Sequence, residues 1–264
     1  MSARFPFKKL ALVVALANIQ LAQAGEVIGL GADNMPNAVS GDGSLAVGQV
    51  YLGGGSMQAT SWPGGTAKNL SSVTIDTTAN GVSGDGALIA GAASSFDANY
   101  TSHGFKWTAA GGMVSLGGLA SGQNYSAAAV SSDGNVIVGK ASLANGNQHA
   151  VRWVGASATI EDINGNGFTY SSAQAVSSDG SVVVGYGQNA DGFRAFRWTS
   201  AGMNSLGTLA GKNSSEATAV SADGSVVAGL AYTAMMADHQ AVRWTQAEGM
   251  VSLGSLPGNQ YSQA

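Results

Sequence analysis

The chain has 264 residues, of which only 10% are charged and 39 are glycine, and it contains no cysteine. Its formal net charge of −4 disfavours nucleic acid and anionic membrane surfaces as partners, and without cysteine no disulfide can hold the fold. Low charge combined with regularly placed valine and tryptophan also excludes an acidic disordered chain.

The first 24 residues are typical of a secretory signal peptide. Arg4, Lys8 and Lys9 precede an apolar run at 10–17, and a small-x-small cleavage pattern ends at Ala24. The run is shorter than the roughly 20 apolar residues that a membrane-spanning helix needs. We therefore predict export and cleavage after Ala24, which leaves 8 Lys and Arg against 15 Asp and Glu, a net charge near −7.

The segment at 26–31 resembles an isolated fourth strand of the repeat that follows it. β-Propellers often close their ring by pairing such a strand with three strands from the other end of the chain. At that other end, residues 260–264 begin what looks like a sixth copy of the repeat. We therefore expect either a chain that continues past Ala264 or a ring that stays open, with an exposed sheet edge.

The pattern Val-Ser-x-Asp-Gly occurs five times between these ends, and a tryptophan follows each copy. The copies and their tryptophans are 39–43 with Trp62, 82–86 with Trp107, 130–134 with Trp153, 176–180 with Trp198, and 220–224 with Trp244. Successive aspartates are 43, 48, 46 and 44 residues apart. Such a period indicates units that stack on their neighbours to bury their apolar faces. We predict one repeat domain over 25–264, with repeats at about 32–75, 76–121, 122–167, 168–212 and 213–258.

The fourth copy predicts its strands most clearly. Strands are expected at 171–177, 181–186, 194–199 and 203–209. In the first turn, Asp179 can accept hydrogen bonds from the turn backbone, and Gly180 supplies the positive φ of a three-residue hairpin with a bulge. A longer loop through Gln188 and Asp191 is expected before the third strand.

Four strands in about 46 residues are typical of one blade of a β-propeller. The valine run at 182–184 is apolar without alternation, which indicates a strand covered on both faces, as between two blades. We therefore predict an all-β fold, a β-propeller of five four-stranded blades in an incomplete ring. The alternative is an open β-solenoid-like array, although solenoid repeats are commonly shorter, about 20 to 30 residues.

The residues that recur in every copy favour a structural role. We expect each tryptophan to pack between blades. The basic residue before the tryptophan is expected to bind carboxylates or carbonyls at blade junctions. In four copies this residue is Lys106, Arg152, Arg197 or Arg243.

The connections between the second and third strands differ in length and composition. In an antiparallel blade these loops emerge on the same side as the links between blades, a side that we call the loop face. A variable surface on a rigid scaffold is typical of a binding surface. The candidate ligand-face residues are Tyr100, His103, Asn124, Tyr125, His149, Asp191 and His239.

Catalytic and metal-binding patterns are weak. No serine lies in Gly-x-Ser-x-Gly or at a meaningful spacing from a histidine and an acid. His103 and His149 take the same position in adjacent repeats, which separates them by about a blade width and disfavours a shared zinc. Residues 162–167 match the opening of a calcium loop, but its twelfth position is Ala173 instead of glutamate. We therefore assign no catalytic, metal or cofactor-binding residue and no cofactor.

The segments before the tryptophans, such as His149-Ala150-Val151-Arg152-Trp153, together with Val-Ser-x-Asp-Gly and Gly-Met-x-x-Leu-Gly, resemble the HAF-family extracellular repeat. The full His-Ala-Phe triplet is absent from all copies, and the first copy, at 58–62, also lacks the basic residue. The resemblance implies an exported bacterial protein, often the passenger region of an autotransporter. Anchoring in the outer membrane is implied only if the chain continues past Ala264.

We therefore expect a secreted or cell-surface, non-enzymatic protein that acts in binding or adhesion. Its partner would be an extracellular protein or glycan. The alternative is a propeller hydrolase or lyase that acts on polysaccharide, although no pair of carboxylates marks a cleft for glycoside hydrolysis.

Overall fold

The computed structural model describes residues 30, 33–71, 76–94, 101–120, 122–165, 167–233, 238–256 and 262. These residues form twenty β-strands in five four-stranded antiparallel sheets. Each sheet is built from four strands that are consecutive in the chain, and we call the sheets blades 1 to 5.

The blades repeat one strand order. Blade 1 contains β1 (Asn34–Val39), β2 (Leu45–Tyr51), β3 (Met57–Pro63) and β4 (Lys68–Asn69). Blade 2 contains β5 (Asp76–Val82), β6 (Ile89–Ser94), β7 (Ser102–Thr108) and β8 (Gly112–Ser115). Blade 3 contains β9 (Tyr125–Val130), β10 (Val136–Ser142), β11 (Gln148–Val154) and β12 (Thr159–Asp162). Blade 4 contains β13 (Tyr170–Val176), β14 (Val183–Asn189), β15 (Gly192–Thr199) and β16 (Gly202–Ser205). Blade 5 contains β17 (Ser214–Val220), β18 (Val226–Tyr232), β19 (His239–Thr245) and β20 (Gly249–Ser252).

The blades stand around a common centre. The first strands of successive blades contact one another, and the five motif valines together line a cavity of about 260 Å³ at one end of this centre. Four hydrophobic clusters join blades 1–2, 2–3, 3–4 and 4–5. Among the described residues no cluster joins blade 5 to blade 1, so the ring is open. The prediction of an all-β propeller of four-stranded blades is confirmed.

Four of the five tryptophans lie at these junctions, as predicted: Trp107, Trp153, Trp198 and Trp244. Trp198 belongs to the cluster between blades 3 and 4, where it packs with Val138 of the preceding blade, and the Arg152 guanidinium of blade 3 lies 4.4 Å from the centre of its ring. Trp153 also donates its indole N–H to the carbonyl of Gly117, just after blade 2, at 3.0 Å. Each of these four rings therefore fastens its own blade to the one before it. Trp62 of blade 1 is buried but belongs to none of the four clusters.

The basic residues before the tryptophans follow the prediction in part. Lys106 reaches the carbonyl of Ala156 in the next blade, and Arg197 Nη2 donates to the Gly224 carbonyl in the next blade at 3.2 Å. Arg152 and Arg243 instead form ion pairs inside their own blades. Their partners are Glu161, at 2.6 Å, and Glu248, at 2.7 Å.

The Val-Ser-x-Asp-Gly segment forms the same turn in every blade. In blade 4, Ser177 Oγ donates to Asp179 Oδ1 at 2.7 Å and accepts from Val182 N at 2.9 Å, while Gly180 has φ +73°. The backbone closes from Ser177 N to Val182 O, which leaves four residues in the loop instead of the predicted three. The loop is longer because the Ser177 hydroxyl accepts the hydrogen bond from Val182 N. In a tighter hairpin a backbone carbonyl would accept that bond.

Backbone hydrogen bonds join the turns of successive blades around the centre. The residue between serine and aspartate is the usual donor and acceptor. The bonds are Gly41 N to Gly84 O at 2.9 Å, Gly84 N to Ser132 O at 2.8 Å, Asp133 N to Ser178 O at 3.2 Å, and Ser178 N to Ala222 O at 3.0 Å. We call this chain of contacts the turn ring.

A second recurring glycine follows each motif valine by nine residues. These glycines are Gly48, Gly91, Gly139, Gly185 and Gly229. A Cβ at Gly185 would lie 2.0 Å from the Ser172 carbonyl oxygen, and the other four glycines face equally close carbonyls. The close approach follows from a bulge in the first strand, where the register shifts between Ala173 and Ala175. Glycine is therefore required in the second strand of every blade.

The strand bounds of the fourth copy differ from the predicted ones. β14 and β15 extend until Asn189 pairs with Gly192, so the predicted longer loop is a two-residue turn at 190–191. Across the blades this connection ranges from two residues to seven, at 95–101, which agrees with its variability in sequence. β16 ends at Ser205 instead of 209, because the chain then leaves the edge of the sheet for the next blade.

Ser262 packs against blade 5 as part of a following blade would. Its Oγ accepts a hydrogen bond from Ala241 N at 3.0 Å. Ser215 Oγ of blade 5 accepts from Ala195 N of blade 4 in the same way, at 2.9 Å. Ser262, in the segment predicted to begin a sixth copy, therefore makes the contact that Ser215 makes between blades 4 and 5.

Several sequence predictions lie outside the described residues. These are the signal peptide at 1–24, most of the isolated strand at 26–31, most of the segment at 260–264, and Tyr100. The part of the chain that the structure describes contains no apolar helix of membrane-spanning length.

Replacing Trp198 with alanine tests the packing at a junction. Trp198 is 9% exposed and supports Arg152 as well as its own cluster. We expect the free energy of unfolding to fall by about 3–5 kcal/mol, the usual cost of removing a large aromatic from a core. Urea unfolding followed by circular dichroism measures this loss, and an unchanged midpoint would show that the ring does not hold the blades together.

The variant Gly185→Ala tests the requirement for a second-strand glycine. The added methyl group meets a backbone oxygen that cannot move away without breaking the sheet, so we expect a loss of about 3 kcal/mol. Gly165→Ala is the control, since the nearest atom to its Cβ is Met203 Cβ at 3.9 Å. Equal unfolding midpoints for the two variants would contradict the steric explanation.

The aspartate turn predicts a pH dependence of stability. Hydrogen bonds from Ser181 N and the hydroxyls of Ser177 and Ser181 lower the pKa of Asp179 to about 2. The ionised carboxylate therefore stabilises the fold above pH 4, and this contribution is lost as the pH falls towards 2. We expect Asp179→Asn to unfold at lower urea than the wild type at pH 6 and at nearly the same urea at pH 2.

Asp191→Asn is the control for this measurement. It removes the same charge from a carboxylate that accepts no hydrogen bond from the described residues. A difference between wild type and Asp179→Asn that stays constant from pH 6 to pH 2 would refute the role of the ionised turn.

Candidate functional site

A polar cavity of about 500 Å³ opens between blades 2 and 3 on the loop face. Its polar walls include Asn80, Ser102, Asn124, Tyr125, Ser126, Lys140 and Gln148. We call it the loop-face cavity. A second cavity of about 320 Å³, nearer the centre of the ring, shares Asn80, Ser126 and Lys140 with it and extends to Gln174 and Tyr186. The two cavities therefore meet at Lys140.

Rigid strands hold Lys140 in place. It follows Gly139 in β10, the second strand of blade 3, and pairs with Ser126 on one side and Ala150 on the other. The glycine allows the bulged first strand to approach closely, which brings the Ser126 side chain beside the lysine. A residue in the middle of a paired strand is positioned more precisely than one on a loop.

Lys140 is the one charged residue at a position that varies between the blades. The residues at the same position in the other four blades are Gln49, Ala92, Tyr186 and Leu230. Lys140 is half-buried, and its ammonium forms no hydrogen bond or ion pair with the described residues. A structural role explains residues that recur in every blade. It does not explain a cation that occurs in one blade and has no partner among the described residues.

Other polar groups in the cavity also keep bonding capacity. The Ser126 hydroxyl and the Gln148 amide make no hydrogen bond within the described part of the chain. Asn124 Oδ1 accepts from Ser102 N at 2.8 Å, which fixes the amide and leaves its N–H groups as donors. Asn80 is fully engaged, since it donates to Ala127 O at 2.8 Å and so ties blade 2 to blade 3.

His103 and Tyr125 were predicted on the loop face, and the structure brings them together at the junction of blades 2 and 3. Their rings stack with centres 5.0 Å apart, and the Tyr125 hydroxyl lies 2.7 Å from Ser115 Oγ. The Tyr125 ring also packs so closely on Gly118 that a Cβ there would lie 2.7 Å from it. Tyr125 lines the cavity, but its ring is held between blades.

His149 belongs to a separate polar cluster at the junction of blades 3 and 4. Its Nδ1 lies 2.7 Å from Asp162 Oδ2, and its Nε2 lies 3.3 Å from the amide of Asn164. The sequence analysis did not recognise this histidine–carboxylate pair, because its members are 13 residues apart on different strands. The neighbouring hydroxyl, Ser171 Oγ, donates to Asn164 Oδ1 at 2.7 Å and is buried, so it does not form a nucleophile with His149.

The same cluster bears on the calcium-like segment. The Asp162 carboxylate is engaged by His149 and by the backbone N–H of Asn164 at 2.9 Å. Ala173, at the twelfth position, is fully buried in the core. Within the described ranges, no three His, Cys, Asp or Glu side chains form a group that could hold a metal ion.

The remaining candidates lie away from the cavity. Asp191 is exposed in the two-residue turn of blade 4, and His239 begins β19 in blade 5. Of the six predicted ligand-face residues that the structure describes, Asn124 and Tyr125 line the loop-face cavity and the other four do not. Lys140 and Gln148 were missed, although the charge of Lys140, at a position that is uncharged in the other four copies, was a signal that could have found it.

Three tyrosines of blades 4 and 5 lie outside the loop-face cavity, and one of them, Tyr186, lines the second cavity. The Tyr232 hydroxyl donates to Glu216 Oε1 at 2.7 Å, and Tyr170 and Tyr186 have ring centres 6.2 Å apart. Burial, with help from Tyr186, raises the pKa of Tyr170 to about 12, and burial beside Glu216 also raises the pKa of Tyr232. These hydroxyls are therefore neutral at physiological pH and serve as hydrogen-bonding groups.

Known proteins resemble this chain in fold but not in sequence family. No protein-family model matches the chain, and no curated protein resembles it in sequence. Among solved structures, it is similar to a TolB protein from Agrobacterium tumefaciens, with a TM-score of 0.59 and 16% identity over 83% of this chain and 79% of that one. TolB from Acinetobacter baumannii gives a TM-score of 0.55 and 15% identity over 79% of this chain.

A third similar structure is the β-propeller domain of the Trilobed protease from Pyrococcus furiosus, which has an open velcro topology. It gives a TM-score of 0.55 and 9% identity over 84% of this chain and 71% of that domain. The chain spans about half of the Acinetobacter TolB, 51% of its length. At these identities the likeness shows the β-propeller fold alone.

Proposed function

We propose that this protein is an exported, non-enzymatic β-propeller that binds an extracellular ligand in the loop-face cavity. The observation that carries the proposal is Lys140, a cation that has no partner among the described residues and that lies where two cavities meet, at a position with no charged residue in the other four blades. Ligand sites are commonly concavities of about 300–1,000 Å³, a range that includes this one.

The chemistry of the walls supports binding over hydrolysis. Glycoside hydrolysis needs two carboxyl groups on opposite sides of the bond, and the described residues that line the two cavities include no carboxylate. Three serines, Ser102, Ser126 and Ser172, are among those residues, but no histidine is. The His149–Asp162 pair lies at another junction and lacks a free hydroxyl.

The setting of the protein is part of the proposal. The signal-like residues 1–24 and the resemblance to HAF-family repeats support export and a place at the cell surface or outside the cell. On this basis the protein serves as a surface or extracellular module for binding or adhesion. In its more specific form, the proposal is that the chain is the passenger part of an autotransporter. The similar TolB and protease structures support the propeller scaffold and nothing narrower.

Blocking the cavity tests the proposed function. The chain from residue 25 onwards is purified and screened against immobilised glycans and extracellular matrix proteins, and the best binder is titrated. We expect Gln148→Trp to weaken binding at least tenfold, because the indole fills the cavity mouth. Phe193→Trp is the matched control, since Phe193 takes the same position in blade 4 and is already partly exposed.

Two results would overturn the proposed function. One is equal affinity of both tryptophan variants for the ligand, which would place binding elsewhere. The other is cleavage of a polysaccharide that is abolished by His149→Asn or Asp162→Asn, which would support the hydrolase or lyase alternative and give the His149–Asp162 pair a catalytic role.

A further inference from the structure

We infer that the ligand of the loop-face cavity is an acidic sugar, and that Lys140 binds its carboxylate. The inference rests on the proposed function and deepens it, because it names the class of ligand and the residue that selects it. Three features of the cavity lead to this assignment: its charge, the hydrogen-bonding groups of its walls and the shape of its cation.

The charge of the cavity is opposite to that of the protein. The chain carries a formal net charge of −4, yet Lys140 is the only formally charged side chain among the described residues that line the two cavities. The ammonium of this half-buried residue has no partner in the described part of the chain, so no protein group there balances its charge. An anion that enters the cavity would supply the missing ion pair, so the site favours a negatively charged ligand.

The walls fit a ligand covered with hydroxyl groups. Ligand pockets are usually lined mainly by apolar and aromatic side chains. Here the wall around Lys140 presents the Gln148 amide, the Ser126 hydroxyl and the Asn124 amide N–H groups, all without partners in the described part of the chain. Amides and hydroxyls both donate and accept, which matches sugar hydroxyls. A peptide would instead need apolar recesses for its side chains.

The cation itself favours a carboxylate. Lysine is a point charge of one unit, whereas a phosphate monoester carries a charge of about −1.5 to −2 near neutral pH and would be only partly neutralised by it. One ammonium balances one carboxylate, as in a uronic acid residue. Because the equivalent positions in other blades hold Gln49, Ala92, Tyr186 and Leu230, the site occurs once in the described ring.

Titration calorimetry with a matched pair of sugars tests the inference. The acidic probe is oligogalacturonate, and the neutral probe is the same oligomer with its carboxylates converted to methyl esters. We expect the wild type to bind the acid at least tenfold more tightly than the ester, with an affinity that falls as salt rises.

Variants assign this preference to Lys140. Lys140→Met keeps the length and shape of the side chain, so we expect an unchanged melting midpoint and the loss of the tenfold preference for the acid. Lys140→Arg keeps the charge and retains the preference. Lys68→Met is the control for net charge, because Lys68 lies on blade 1 near Trp107 and outside both cavities.

Three results would overturn the inference. They are no binding of oligogalacturonate, equal affinity for acid and ester, and an acid preference that survives in Lys140→Met. Equal competition by polyglutamate would overturn the sugar part and indicate an acidic peptide. If neutral glycans bind and Gln148→Trp blocks them while oligogalacturonate does not bind, the proposed function stands and this inference alone fails.

Discussion

The turn ring is the constraint on which the rest of the molecule depends. Each turn places a backbone N–H and a carbonyl at the centre of the ring, where they bond to the turns of the neighbouring blades. The serine and aspartate of the motif fold the turn from within, so their side chains are already occupied. With the first strands fixed in this way, the tryptophans are brought against the preceding blades and the loop face opens on the opposite side. The recurring motif therefore has a structural role, which is to link each blade to its neighbours.

Much of the fold could be predicted from the sequence, because each local pattern occurs in five copies that can be compared. The turn, the tryptophan and the valine run predicted the correct fold class, and the valine run at 182–184 is buried as predicted. The glycine nine residues after each valine was equally visible, but its meaning needs the bulge, which is a contact between strands. The predicted loop lengths were less accurate, because strand pairing continues until the chain turns. In blade 4 the positive φ of Gly192 allows a two-residue turn, which the composition of the loop did not indicate.

The candidate site could be predicted only in part. The sequence indicated the correct face, and Asn124 and Tyr125 do line the cavity. Both histidines have partners that the spacing of the repeat did not reveal. His103 stacks on Tyr125 of the next blade, and His149 contacts Asp162 of its own blade and Asn164 in the link to blade 4. Lys140 lies in a strand that appeared to be scaffold. In a repeat protein the informative comparison is between copies: this position varies from blade to blade, and only blade 3 has a charged residue there.

The open ring has a consequence for how the protein loses its structure. Each blade is stabilised mainly by its neighbours, so the free energy of such an array is close to a sum of nearest-neighbour terms. Blades 1 and 5 each have one such junction among the described residues, whereas blades 2, 3 and 4 have two. Amide protons in the outer blades then exchange with solvent before those in the middle ones. The loop-face cavity lies between blades 2 and 3, in the most persistent part of the array, so fraying at the edges leaves the geometry around Lys140 intact.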